Sequence, residues 1–278
     1  MSAPVTTLPW PCDRLQTLLQ ALRPGLQVQA VATVDSTNTR LLEALRAGDA
    51  TPRLLVAEAQ TAGRGRQGRR WHSAPGASLT FSLALPLAPA DWSGLSLAIG
   101  VALADALEPL AADAAPRLQL KWPNDLWLAD GPGQWRKLGG ILVETLSMGK
   151  GRAVVVGVGL NVSARPPAAD LSSGHAGMQE LDPSLDAPGL LLQVAPPLLA
   201  ALDRFEREGF APFVASHARR DLLRGRVVTT TLQGLDAGIA EGVDAQGALR
   251  VRHAGGVALV SSGEVSVRPQ ATTTAGAA

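Results

Sequence analysis

The densest chemistry in this sequence lies between Gly63 and Arg70, where four arginines and three glycines fall within eight residues and no acid is among them. Arginine offers a planar, permanently charged fork that fits phosphate or carboxylate oxygens. Glycine allows tight turns and close backbone approach. The segment reads as a local anion clamp, with a solvated basic loop or a nucleic-acid patch as the plainer alternatives. It is neither a Walker A loop nor a dinucleotide turn, because no lysine is followed by serine or threonine and no tight strand–turn–helix signature surrounds it. A second cluster, Lys121-Trp122-Pro123-Asn124-Asp125, puts a lysine, an amide and a carboxylate within five residues. That set can hold a triphosphate and its magnesium, or it is an ordinary proline turn around a buried tryptophan. A third begins at Lys137, which opens an apolar strand: it is a surface lysine snorkelling out or, with Gly139 and Gly140 beside it, a sign of close approach of a ligand to the backbone. Gly157-Val158-Gly159-Leu160-Asn161 follows. The fourth, Asp35-Ser36-Thr37-Asn38, sits at a strand-to-helix junction. Free N–H groups, hydroxyls and an amide there suit a small polar ligand with acceptor oxygens, or they form a helix cap and nothing more.

None of these clusters is a catalytic triad. The single cysteine, Cys12, excludes an internal disulfide framework and a cysteine-ligated zinc site, and it fits a reducing, cytoplasmic setting. The four histidines, His72, His175, His217 and His253, show no metal-ligand spacing. Twenty-five basic residues against 24 acidic ones leave a net charge of +1 over 278 residues, which argues against a chain built to coat nucleic acid or an anionic membrane. Met1 to Trp10 lacks the pattern of a signal peptide, and the longest clean apolar run, Ala153 to Leu160, is far too short to span a bilayer.

The elements that must position these residues follow from periodicity. Residues 13–22 are helical and stop at Pro24-Gly25. Val28 to Val34 alternates as a strand, and a helix capped by Ser36 or Thr37 runs through Arg46. Leu54 to Ala59 is a buried strand, Ser78 to Leu85 an alternating one, and Gly94 to Leu110 a long apolar helix. Leu118 to Trp122, Leu126 to Leu128, Lys137 to Leu146 and Ala153 to Val162 read as strands. Residues 163–187 read as a surface connection. Leu190 to Glu208 is helical, with a break or kink expected at Pro196-Pro197. From Arg226 to Arg268, short strands with glycine turns have the pattern of a small β-barrel. The tail, 271–278, is expected to be disordered.

Together the four clusters resemble the biotin–protein ligases. Ser-Thr-Asn, Gly-Arg-Gly-Arg-x-Gly-Arg-x-Trp, Lys-Trp-Pro-Asn-Asp, Lys-Leu-Gly-Gly-Ile-Leu-Val-Glu and Gly-x-Gly-x-Asn-Val occur in that family's order and approximate spacing. The likeness covers about residues 30 to 268 and includes the barrel stretch that ends Ser262-Gly263-Glu264-Val265. It implies an α+β fold: a mixed β-sheet with helices packed on one side, as in class II synthetase-like catalytic domains, over 1–222, and an SH3-like β-barrel over 223–270. It implies ATP-dependent activation of biotin as biotinyl-5′-AMP, with magnesium, and transfer to one lysine of a biotin carboxyl carrier protein of acetyl-CoA carboxylase.

Carried over residue by residue, the resemblance implies that Ser36, Thr37 and Asn38 hold biotin, with Thr37 and Asn38 nearest its ureido ring. Gln60 and Arg64-Gly65-Arg66 line biotin and close over the adenylate. Arg69 and Trp71 lie near phosphate and adenine; Lys121, Asn124 and Asp125 bind triphosphate, with Asp125 at the magnesium. Lys137 bridges the biotin carboxylate and the α-phosphate, Arg66 clamps the adenylate, and Asn161 faces the nucleotide. Gln67 stands where some family members have another basic residue. About 34 residues precede Asp35, too few for an independent DNA-binding domain, so the single-function form is expected, without specific DNA binding or membrane association and with a homodimer as an option. The competing readings are a lipoate–protein ligase of related fold and a non-catalytic nucleic-acid binder.

Overall fold

The computed structural model describes residues 7–131, 133–149, 151–165, 174–232, 234–261 and 268–269. Its framework is a seven-stranded sheet of β1 (Gln27–Val34), β2 (Arg53–Gln60), β3 (Ser78–Pro86), β4 (Leu118–Lys121), β5 (Asp125–Gly131), β6 (Gln134–Met148) and β7 (Gly151–Asn161), in the order β1-β2-β3-β7-β6-β5-β4. β1 and β2 are parallel, joined through helix α2 (Thr37–Arg46), and every other neighbouring pair is antiparallel. The sheet is therefore mixed, as expected. Alternation along β2 assigns its two faces. Leu54 and Val56 enter the main core, which also takes residues of α1 (Cys12–Leu22), α3 (Leu95–Leu107) and α4 (Ala187–Glu208). Leu55 points the other way and packs with Leu41, Leu42 and Leu45 of α2, Ala84 and Val155. The helices thus gather on one face, with α2 alone on the opposite one, where it brings Ser36, Thr37 and Asn38 to the sheet. Ser36 caps α2 by accepting from Thr39 N–H at 3.4 Å.

Three local features depart from or go beyond what periodicity indicates. α4 is one helix of 22 residues running through Pro196-Pro197. The two missing N–H groups leave the carbonyls of Leu192 and Gln193 on the outer, partly exposed side, while Leu190, Leu191, Val194, Leu198, Leu199, Leu202 and Phe205 are buried beneath. That burial outweighs two lost bonds. β3 does not turn its polar face to water: Ser78, Thr80 and Ser82 are as buried as Leu79 and Phe81 between them. The connection 163–187 does not run wholly over the surface either, since Ala176 and Met178 are fully buried; residues 166–173 of it, like 262–265 and the tail 271–278, lie outside the described residues.

The C-terminal part forms a second, antiparallel sheet, β11-β10-β9-β8-β12, from β8 (Val227–Leu232), β9 (Leu235–Val243), β10 (Leu249–His253), β11 (Gly256–Val260) and β12 (Arg268–Pro269). It follows α5 (Val214–Arg220), a helix the periodicity did not announce. The joint is tight: Leu222 N–H donates to the Leu120 carbonyl at 3.0 Å, and the Arg226 guanidinium lies 4.1 Å from the ring centre of Trp135. Among the described residues no helix is long and apolar enough to cross a membrane.

Arg220 of α5 is buried and binds Asp105 at 2.9 Å, Glu108 at 2.9 Å and the Leu118 carbonyl at 3.1 Å, so one guanidinium ties α5 to α3 and β4. Removing it takes the cation from the Glu108 carboxylate, which keeps only the N–H groups of Arg117 and Leu118, and a donor from the carbonyls of Glu108 and Leu118. Asp105 is half-exposed and loses less. Arg220→Met should destabilise the fold by about 3 kcal/mol in urea unfolding; a change within about 0.5 kcal/mol would contradict this role.

Candidate active site

Between α2, the arginine loop, and the strands β3, β7, β6 and the β4–β5 turn lies a cavity of about 480 Å³. Ser36, Thr37, Asn38, Gln60, Arg64, Gly65, Arg66, Arg69, Trp71, Lys121, Asn124, Asp125, Lys137 and Asn161 all line it, so the four clusters read from the sequence meet in one place. Six of the lining side chains are cations, namely Arg64, Arg66, Arg69, Arg70, Lys121 and Lys137, and one, Asp125, is a carboxylate. A cavity with that imbalance attracts a polyanion.

One end is neutral and built from hydrogen-bond acceptors. The Thr37 hydroxyl is 3.1 Å from Gln60 Oε1 and 2.7 Å from Ser82 Oγ, and Ser82 Oγ is 2.5 Å from Asn38 Oδ1. Gln60 Oε1 already accepts from Thr37 N–H at 2.8 Å, which fixes its orientation. Asn38 Nδ2 donates to the Leu142 carbonyl at 3.3 Å and to Glu144 at 3.0 Å, which fixes that amide too. Three contacts therefore share two hydroxyl protons, because both ends of the chain are oxygens that only accept. The chain is one proton short. The sequence pointed to a ligand with acceptor oxygens here; the geometry calls instead for a ligand that donates hydrogen bonds.

β7 carries the opposite wall. A Cβ on Gly157 would lie 2.2 Å from Asn38 Oδ1, and one on Gly159 would lie 2.4 Å from the Trp71 ring. Asn38 and the Trp71 indole thus rest directly on backbone. The close approach expected at Gly139 and Gly140 is of a different kind. A Cβ on Gly139 would meet the Gly159 carbonyl at 2.6 Å, whereas Gly140 lies beside the Lys137–Asp125 pair.

The arginine loop folds back on itself. Gly65 N–H donates to the Arg69 carbonyl at 2.7 Å and Trp71 N–H to the Gly63 carbonyl at 2.9 Å, around a 3₁₀ turn at Arg66–Gly68. Gln67 sits in the left-handed region at φ 55°. This inward fold lets Arg66 reach Asn124 Oδ1 at 3.2 Å. Burial pushes the Arg66 pKa down and the nearby Arg69 adds to that, while Asp125 opposes it. Arg66 remains a cation at neutral pH, and an arriving anion would offset the cost of its burial.

At the charged end Lys137 Nζ lies 2.7 Å from Asp125 Oδ1. Lys121 Nζ sits 4.8 Å from the ring centre of Trp127. Asn124 is held by β6, its Nδ2 donating to the Ile141 carbonyl at 2.8 Å. Asn161 lines the cavity with its amide nitrogen engaged by the Ala176 carbonyl at 3.1 Å, so it also anchors the segment that carries His175 across the site. Ala176 N–H reaches the Lys137 carbonyl at 2.9 Å. Farther out, Glu180 and Asp130 bind Arg136, whose pKa is raised chiefly by its bond to Asp130. His72 and His175 line the cavity, and Ser82 and Glu144 brace its floor; sequence reasoning gave none of the four a role. Only Glu144, a charge in an apolar strand, carried a signal that could have found it.

Among the described residues no group of three His, Cys, Asp or Glu could hold a metal ion. Magnesium takes one or two carboxylates beside substrate phosphates and keeps several waters. Asp125 with Asn124 fits an ion that arrives on a triphosphate, and does not fit one held by protein alone.

Residues 30–161 match the biotin/lipoate A/B protein ligase family, and residues 222–268 match the biotin protein ligase C-terminal domain. The chain is 39% identical over 249 residues to the bifunctional ligase/repressor BirA of Salmonella typhimurium, covering 87% of this chain and 74% of that protein. It is 36% identical over 257 residues to the biotin–[acetyl-CoA-carboxylase] ligase of Mycobacterium tuberculosis, covering 86% and 88%. The biotin protein ligase of Aquifex aeolicus, solved with biotin and ATP, superposes with a TM-score of 0.71 at 29% identity, over 87% of this chain and 99% of that one. The chain belongs to the biotin protein ligase family.

The glycine contacts give a direct check. Gly157→Ala forces a methyl into Asn38 Oδ1, so Asn38 must move or β7 must shift. Overpacking of this kind costs about 1–3 kcal/mol. Urea unfolding of Gly157→Ala should register that loss, and a crystal structure should find Asn38 displaced; an unmoved Asn38 and unchanged stability would refute the contact.

Proposed function

From that membership we propose that this protein is an ATP-dependent biotin–protein ligase. It joins biotin to ATP as biotinyl-5′-AMP with release of pyrophosphate, then transfers the biotinyl group to a lysine of a biotin carboxyl carrier protein, the subunit of acetyl-CoA carboxylase. The observation that carries the choice of acid is the proton-short chain Gln60–Thr37–Ser82–Asn38. Biotin's ureido ring brings two N–H donors to it. Lipoate's dithiolane ring brings none and would leave buried acceptors unmet, at about 1–3 kcal/mol each.

In this reading Ser36, Thr37, Asn38 and Gln60 hold the ureido ring, with Arg64 and Gly65 over the bicycle. Trp71 and Arg69 take adenine and phosphate, and Asn161 backs the nucleotide. The biotin carboxylate then attacks the α-phosphate. Both partners are anions, so the reaction needs charge neutralisation more than a protein nucleophile. Lys137 supplies it between them, with Arg66 as the clamp, and Lys121, Asn124 and Asp125 steady the leaving pyrophosphate and its magnesium. Closing the loop keeps water from the mixed anhydride until the carrier lysine arrives. That amine attacks the acyl carbon, the amide forms, AMP leaves and the amine's proton is lost to solvent.

Biotin-dependent ATP–pyrophosphate exchange, compared with lipoate at equal concentration, tests the assignment. Exchange with biotin should exceed that with lipoate by at least tenfold. Equal or greater exchange with lipoate would move the protein to the sister activity. Salt-sensitive nucleic-acid binding without exchange would instead favour a non-catalytic binder.

Lys137 offers a sharper check. Pairing unit charges at about 4 Å is worth roughly 4 kcal/mol at an effective dielectric of about 20. Lys137→Ala should slow biotinyl-AMP formation by two orders of magnitude or more. Pyrophosphate exchange within a few-fold of wild type would remove Lys137 from its role.

A further inference from the structure

Glu144 is a charge in the apolar stripe Leu142–Glu144–Leu146 of β6, whose last member packs in the small core beneath α2. Its two oxygens serve different elements. Oε2 accepts from Asn38 Nδ2 at 3.0 Å, and Oε1 pairs with Arg64 Nη2 at 3.1 Å. One carboxylate therefore joins the floor of the cavity to the arginine loop above it.

We propose that Glu144 is a positioning residue that makes ligand contact at Asn38 and closure of the loop a single event. The proposal rests on the biotin-ligase reading above. Consider first what Glu144 does to Asn38. With Nδ2 facing both Glu144 and the Leu142 carbonyl, a reversed amide would set Oδ1 against two acceptors. Glu144 thus locks Asn38 with its oxygen toward Ser82 and Gly157, in the acceptor orientation that an N–H ligand requires. At the loop, the Arg64 side chain is 49% exposed and that of Glu144 is 23% exposed. An ion pair in that setting is weak while solvent screens it. Arg64 lines the cavity, so a ligand that fills it displaces solvent from the Arg64 side of the pair and strengthens it. The carboxylate then grips the loop most firmly when Asn38 is occupied.

The variants Glu144→Gln and Glu144→Ala separate the two contacts. Gln keeps an oxygen for Asn38 Nδ2 and loses the charge that Arg64 meets; Ala loses both. In Glu144→Gln, release of preformed biotinyl-AMP should speed up about twofold to fivefold, the size expected for one partly screened ion pair. KM for biotin should rise by a similar factor, since coupling is reciprocal, and KM for ATP should not change. Glu144→Ala should raise KM for biotin further, to about tenfold. Biotin should protect the loop arginines of wild type from trypsin and fail to protect them in Glu144→Gln. The double variant Arg64→Ala/Glu144→Gln should release adenylate no faster than Arg64→Ala alone. Wild-type release from Glu144→Gln, or additive effects in the double variant, would overturn the proposal. Wild-type protein that forms no biotinyl-AMP would overturn the ligase reading and this proposal with it, whereas an active wild type with insensitive Glu144 variants would overturn the proposal alone.

Discussion

The site depends on bare backbone at two positions of β7. This strand lies between β3 and β6 in the middle of the sheet and is buried nearly throughout. A strand of that kind is normally filled with branched residues, and Val154, Val155, Val156 and Val158 follow the rule. Gly157 and Gly159 break it. A glycine within a strand costs about 0.5–1 kcal/mol relative to alanine, and here the loss is repaid in geometry. Asn38 arrives from α2 and the Trp71 indole from the arginine loop, and each lies where a methyl would stand. Gly139 on β6 makes the same concession to the Gly159 carbonyl, so the two strands approach closely at the point where Lys137 and Asp125 begin. The cavity floor is thus set by packing before any ligand is present.

Much of this was legible in the sequence because the ligand-facing residues come in short runs of unusual composition. Arginine with glycine, Lys-Trp-Pro-Asn-Asp and Gly-x-Gly-x-Asn announce themselves without knowledge of the fold, and the strands that carry them have clear periodicity. What was hidden lies in residues whose pattern is ordinary. Ser78, Thr80 and Ser82 alternate with apolar residues as any half-exposed strand does. Sequence cannot tell a face turned to water from one turned to an internal cavity. His175 sits in a stretch whose proline, glycine and small residues read as surface, yet backbone bonds with Arg165 and Lys137, which no side-chain type encodes, hold it against the site together with the Asn161 side-chain amide on the Ala176 carbonyl. The prolines of α4 misled for a related reason. Local chemistry predicts a break or a kink, and burial of one long apolar face keeps the helix unbroken. α2 lies across the sheet from the other helices because its leucines match Leu55, Ala84 and Val155, a pairing set by register and not by α2 itself.

The two ends of the cavity are restrained in different ways. The β4–β5 turn is held on one side by β6, through Asn124 Nδ2 and the Ile141 carbonyl and through Ile141 N–H and the Asn124 carbonyl. On the other side the C-terminal sheet reaches it. Trp122 is 1% exposed, and its Nε1 donates to the Gly247 carbonyl at 3.0 Å. Gly247 has φ +81°, and a Cβ there would lie 2.7 Å from Gly94 Cα, so the β9–β10 turn presses on the start of α3 as well. Lys121, Asn124 and Asp125 are therefore braced from both halves of the molecule. Dipoles and charges fixed in this way need no reorganisation as charge develops on a substrate, which is the condition under which they stabilise a transition state most. The arginine loop is braced mainly by its own backbone bonds and by contacts that meet at Glu144 and Asn124. A rigid charged turn facing a loop held at few points divides the labour in the reaction proposed above: there the turn would define where phosphate sits, and the loop would set how long the product of the first step stays.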